Sequence, residues 1–69
     1  MANQEWEYIY IIKPKGKEVK VIRQGSERDE LFNDMMSILT MYGSHGWELV
    51  NANVVDWQDE YSLLLKRPG

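Results

Sequence analysis

Residues 43–50, Gly-Ser-His-Gly-Trp-Glu-Leu-Val, constrain this chain more than any other stretch. They follow an apolar pattern of helical period and hold a helix stop, a two-glycine turn and the first residues of a strand. A chain with such a junction turns from a helix back onto a sheet. That sets an architecture and names no chemistry. Gly43 is the residue expected to take the left-handed conformation that ends the helix.

The flanking segments complete the pattern. Residues 5–13 are β-branched and aromatic with no Gly or Pro, which reads as a strand. Alternation puts Trp6, Tyr8, Tyr10 and Ile12 on one face and Glu5, Glu7, Ile9, Ile11 and Lys13 on the other; the aromatic face is the expected core face. Pro14-Lys15-Gly16-Lys17 is a turn signal. Residues 18–23 form a second strand with Val19 and Val21 on one side, and its lysines suggest an edge protected against pairing with other chains. Gln24-Gly25 breaks that strand. Ser26 then begins a helix, with Asp29 completing a capping box and Glu27, Asp29 and Glu30 suiting the positive end of its dipole. At helical spacing Leu31, Phe32, Met35, Met36, Ile38, Leu39 and Tyr42 fall within an arc of about 160°. Asn33, Asp34, Ser37 and Thr40 lie opposite, with Met41. Residues 47–55 and 60–67 read as two further strands joined by residues 56–59. The expected fold is α+β: an antiparallel sheet in ββαββ order with one helix packed on one face, residues 1–69 forming a single small domain.

A 69-residue domain buries only ~60% of the surface its unfolded chain exposes, so it needs a dense core or a partner. The absence of Cys excludes disulfides, thiolate metal sites and cysteine nucleophiles. Eight aromatics, three of them Trp, fit both a dense core and self-association. No apolar run reaches the length of a membrane span, and the first residues lack the basic-then-apolar pattern of a leader, so a cytoplasmic protein is expected. With the aromatic face as core, the second face carries Ile9, Ile11, Val50 and Val54, together with Leu64. A contiguous apolar patch marks an interface or a ligand surface. This face is the candidate self-association face, and a homodimer the expected state.

Charge is unevenly spread. Lys13, Lys15, Lys17, Lys20 and Arg23 face Glu18 alone, a local +4 within an overall −3. This hairpin is a candidate patch for an anion or an acidic partner. The preferred reading is a solvated, edge-protecting lysine row, and the hairpin lacks the interleaved aromatics of nucleic-acid binders.

Three segments together carry a family resemblance: Trp6-Glu7-Tyr8-Ile9, the junction Gly43-Ser44-His45-Gly46-Trp47-Glu48-Leu49-Val50, and Leu65-Lys66-Arg67-Pro68. The chain resembles the small bacterial and phage proteins of domain-of-unknown-function family 4177. The resemblance covers nearly the whole chain and implies the fold just described. It implies no activity and no site residues, and the basic hairpin is not part of its pattern.

No residue set supplies catalysis. His45 beside Ser44 suggests a nucleophile and base, but neighbours in a tight turn rarely aim at one point and no third group orients the imidazole. One His with scattered carboxylates does not make a zinc site. The two glycines follow a helix C-terminus, where anions are disfavoured, so they are no phosphate loop. Asp56, Asp59 and Glu60 sit in a solvated connection. Trp6 and Trp47 read as core anchors, and Trp57 as the exposed candidate for stacking a flat ligand. The expected function is a non-enzymatic homo-oligomeric binding or adaptor module, without cofactor, metal or membrane. The alternative is a protein that sequesters a nucleotide-like or flavin-like molecule through Trp57 and the basic hairpin. A weak third is nucleic-acid binding through that hairpin.

Overall fold

The chain runs β1 (Trp6–Lys13), β2 (Val19–Arg23), β3 (Ser26–Glu30), α1 (Met35–Ser44), β4 (Glu48–Asp56) and β5 (Glu60–Pro68). The computed structural model describes residues 5–32 and 34–69. Asn33, assigned above to the polar side of the helix, and residues 1–4, read above for a leader pattern, lie outside the described residues. The class is α+β, with one helix and an antiparallel five-stranded sheet in the order β3-β2-β1-β5-β4. The element order is βββαββ rather than the expected ββαββ.

The extra strand comes from Gln24-Gly25. Both residues have positive φ, 51° and 80°, the geometry of a two-residue hairpin turn whose twist matches the flanking strands. The chain therefore doubles back, and Arg23 pairs with Ser26 while Val19 pairs with Glu30. Ser26 opens a strand and caps no helix. This also moves β2 off the edge, because β3 pairs along its whole length.

The helix cap falls eight residues later than expected, at position 34 instead of 26. Asp34 is the N-cap, and its carboxylate accepts bonds from the Ser37 N–H at 2.8 Å and the Ser37 hydroxyl at 3.0 Å. The C-terminal junction closes differently from expectation too. Gly43 is helical, and Gly46, with φ 88°, is the left-handed residue. The Trp47 N–H reaches the Tyr42 carbonyl and the Gly46 N–H the Gly43 carbonyl, both at 3.0 Å. Those two bonds make a Schellman motif, and its usual apolar contact is present: the Tyr42 and Trp47 rings meet edge-on at 6.5 Å. Nothing lies within 4 Å of a Cβ placed on Gly46, so a side chain there meets only backbone strain. Gly46→Ala is expected to cost about 1–2 kcal/mol, a fall of several degrees in thermal midpoint by circular dichroism. An unchanged midpoint would show that the turn adopts another geometry.

The face of β1 is inverted relative to expectation. Ile9 is 2% exposed and Ile11 fully buried, in a core with Val19, Val21, Met35, Ile38, Tyr42, Trp47, Tyr61, Leu63 and Leu65. Trp6, Tyr8 and Tyr10 lie on the uncovered face, Tyr8 being 52% exposed. The register gives the reason. Ile11 sits between Val21 and Leu63, and Ile9 opposite Leu65, so branched aliphatic side chains line up across three strands. Tyr8, by contrast, faces Lys66, and Lys66 also stacks on Trp6 with its Nζ 4.2 Å from the ring centroid. Lysine cannot sit under a helix without a partner, so the other face takes the core. Trp47 is the buried tryptophan and Trp6 is not a core anchor.

Candidate functional site

A five-stranded open sheet has two edges, and in this protein they differ in kind. The β3 edge reads Ser-Glu-Arg-Asp-Glu and is charged at four of five positions, a sequence that repels added strands. The β4 edge reads Glu-Leu-Val-Asn-Ala-Asn-Val-Val-Asp. Its charges stand only at the two ends, it has no Lys or Pro, and all nine residues are exposed. Leu49 and Val54 lie opposite Leu65 and Tyr61, hence on the helix side, yet the helix leaves them uncovered. Val50 is 47% and Val54 38% exposed. Of the four residues expected on a self-association face, these two are available. Ile9 and Ile11 are not, because they form the floor under α1.

The basic hairpin is not gathered into a patch. Lys13 Nζ binds Asp59 Oδ1 and the Asp59 carbonyl, each at 3.0 Å, and so ties the β1–β2 turn to the β4–β5 turn. The Gly16 N–H reaches the same carboxylate at 3.0 Å. That bond, and then Lys13, hold the Asp59 carboxyl below its ordinary value. Lys20 pairs with Glu27 at 3.2 Å and Arg23 with Glu7 at 2.8 Å. Lys15 and Lys17 are the two of the five without an ion pair among the described residues. Trp57 is 60% exposed in the β4–β5 turn and is not among the residues lining the neighbouring cleft that holds Lys13 and Lys15.

A second concave feature escaped the sequence reading. Glu7 joins Arg23 at 2.8 Å and Arg67 at 3.1 Å, and both guanidinium groups lie over the Trp47 ring, at 5.5 and 4.5 Å. Beside them opens a cleft of about 370 Å³ with a floor of Ile9, Val21, Tyr42 and Trp47 and Arg23 and Arg28 at its rim. Arg28 is paired with Glu30, whose other oxygen lies 3.5 Å from the Tyr42 hydroxyl. The missed signal was Arg28 itself: once Gln24-Gly25 is read as a hairpin turn, Arg28 falls opposite Val21 and beside Arg23.

The Ser44 hydroxyl and His45 Nδ1 lie 3.3 Å apart at the helix end and converge on one backbone carbonyl. The Ser44 hydroxyl donates to the Met41 carbonyl at 2.6 Å, and His45 Nδ1 lies 2.8 Å from the same oxygen, which assigns its proton to Nδ1. Both groups are donors to one acceptor, finishing the helix end. Among the described residues no three His, Asp or Glu side chains cluster to hold a metal ion, and no helix is long and apolar enough to cross a membrane.

Two phenols are held above the ordinary tyrosine range. Burial pushes Tyr42 above the ordinary tyrosine value, against the Arg28 hydrogen bond that favours ionisation. Burial also raises Tyr61, and the Asp34 carboxylate adds to the shift. A phenol whose folded pKa is raised stabilises the fold fully below its unfolded pKa and loses that contribution as pH rises through the folded one. The protein is therefore expected to unfold on the alkaline side as these groups ionise. Tyr61→Phe should move that transition to higher pH in an ellipticity titration; an unmoved midpoint would exclude Tyr61 as a cause.

Compared with known proteins, the chain matches no family model, no curated protein and no solved structure.

Proposed function

We propose that this protein is a non-enzymatic binding module that works by self-association, and that its working surface is the β4 edge. The observation that carries this reading is the contrast between the two edges of one sheet. The β3 edge is charged, while β4 offers nine exposed residues with an apolar, uncharged centre. An exposed strand of this length presents unpaired N–H and C=O groups that another strand can satisfy. Its side chains add apolar surface at Leu49, Val50, Val54 and Val55. The home compartment that suits a cysteine-free chain of this kind is the cytoplasm.

A second reading, small-ligand binding, is favoured by the cleft at Arg23 and Arg28. Its volume falls in the range of small-molecule sites, and it joins an apolar floor to guanidinium groups suited to a carboxylate or phosphate. In this reading the ligand sits at Arg23 and Arg28 and not at Trp57.

Native mass spectrometry under mild conditions separates the two. Dimers of bare chains support self-association, and extra mass retained on each chain supports the ligand reading. A bare monomer at every accessible concentration overturns the first.

A further inference from the structure

We propose that the strand received by the β4 edge is β4 of a second copy, paired antiparallel about a two-fold axis through Ala52. This rests on the self-association reading above and specifies its geometry. The central residues of β4, Leu49-Val50-Asn51-Ala52-Asn53-Val54-Val55, read nearly the same in both directions. Antiparallel pairing centred on Ala52 therefore sets like against like. Asn51 faces Asn53 and Val50 faces Val54, and each contact occurs twice because the interface is isologous. Ala52, the smallest side chain of the strand, meets its own copy at the axis.

The faces agree with this register. Asn51 and Asn53 lie opposite Leu64 and Ser62, on the uncovered side of the sheet, while Ala52 lies opposite Leu63 on the helix side. Residues directly opposite in an antiparallel pair share a face, so Asn51 and Asn53 meet where water and each other's amides satisfy them. Moving the axis to Asn51 sets Leu49 against Asn53 and Glu48 against Val54. Moving it to Asn53 sets Asn51 against Val55 and Val50 against Asp56. An axis between residues pairs opposite faces, which the pleat forbids. The register of β4 on β5 shifts between Leu49 and Asn51 and between Val54 and Asp56, so the strand is regular from Asn51 to Val54, the stretch that holds the proposed axis. At the rims the pairing brings Glu48 against Asp56 twice, and each chain carries a net charge of −3. Association should accordingly tighten as salt is added, since screening relieves like-charge repulsion.

The absence of native cysteine makes the test clean. In Ala52→Cys each chain carries one thiol, and paired Cα atoms of an antiparallel ladder, ~4.5–5.5 Å apart, fall within disulfide reach. Mild oxidation should convert Ala52→Cys to covalent dimer with an unchanged circular dichroism spectrum. Val50→Cys or Val54→Cys alone should give about ten-fold less, and an equimolar mixture of the two should recover cross-linking. A wild-type monomer at all concentrations overturns this inference and the self-association reading together. A wild-type dimer in which Ala52→Cys does not cross-link, while Tyr8→Cys on the uncovered face does, overturns the β4 pairing and leaves self-association standing. Weakening of the dimer by added salt also overturns the pairing.

Discussion

Ile9→Lys is expected to unfold this protein, not merely to dissociate it. Ile9 is 2% exposed beneath α1 and opposite Leu65, and among the described residues no buried carboxylate stands ready to receive an ammonium group. A lysine there is either charged and unpaired in an apolar interior or neutral at the expense of its proton, and either state costs several kcal/mol. A chain of 69 residues has a total stability of only about 3–10 kcal/mol. The helix signal and the cooperative melt should both be lost at 25 °C. Val54→Lys is the control, because Val54 is 38% exposed on the edge strand and its side chain has a path to water. That variant should keep the helix signal and a cooperative melt, because the change costs the fold of one chain only about 1 kcal/mol. If Ile9→Lys stays folded and becomes monomeric, the aromatic face of β1 is the core face and the helix lies on the other side of the sheet.

Ala52→Lys is expected to abolish association while leaving the monomer intact. Ala52 is exposed, so the lysine costs the fold little. At the two-fold axis, however, the two new ammonium groups face each other directly, and like charges in opposite positions of a ladder are destabilising. A lysine on an edge strand is also a common guard against pairing. The dimer dissociation constant should rise at least about ten-fold, ~1.4 kcal/mol, as read by analytical ultracentrifugation over a concentration series. Ala52→Ser, equally small and uncharged, should retain the dimer. Loss of association in both variants would point to the strand's fold and away from charge at the axis.

Local chemistry was legible in the sequence and pairing was not. The junction at residues 43–50 announced its turn because the bonds that make it span at most five residues, and a glycine stands where the left-handed φ falls. Even there, two glycines were on offer, and only the bond from Trp47 to Tyr42 selects Gly46 over Gly43. Ser26 to Glu30 misled for a physical reason: Ser, Asp and Glu that would cap a helix serve equally well to guard a sheet edge. The deciding residues were Gln24 and Gly25 just before them. Alternation in β1 revealed two faces and could not say which lay inward. That depended on Val21 and Leu63, distant in sequence and adjacent in the sheet. The candidate edge was hidden likewise, since β4 becomes an edge only through the strand order.

For the proposed self-association, the inequality of the two sheet edges also limits how many copies can join. A sheet with two receptive sides is a monomer of a polymer: each addition exposes a fresh acceptor, and growth has no natural end. On the pairing proposed above, this sheet has a valence of one. With β4 occupied by a second copy as proposed, what remains outward at both flanks is the Ser26–Glu30 strand with its carboxylates and Arg28, and that assembly would end at two. The acidic residues of that short strand thus act as a stop codon for assembly, and the safety of leaving one edge bare depends on them.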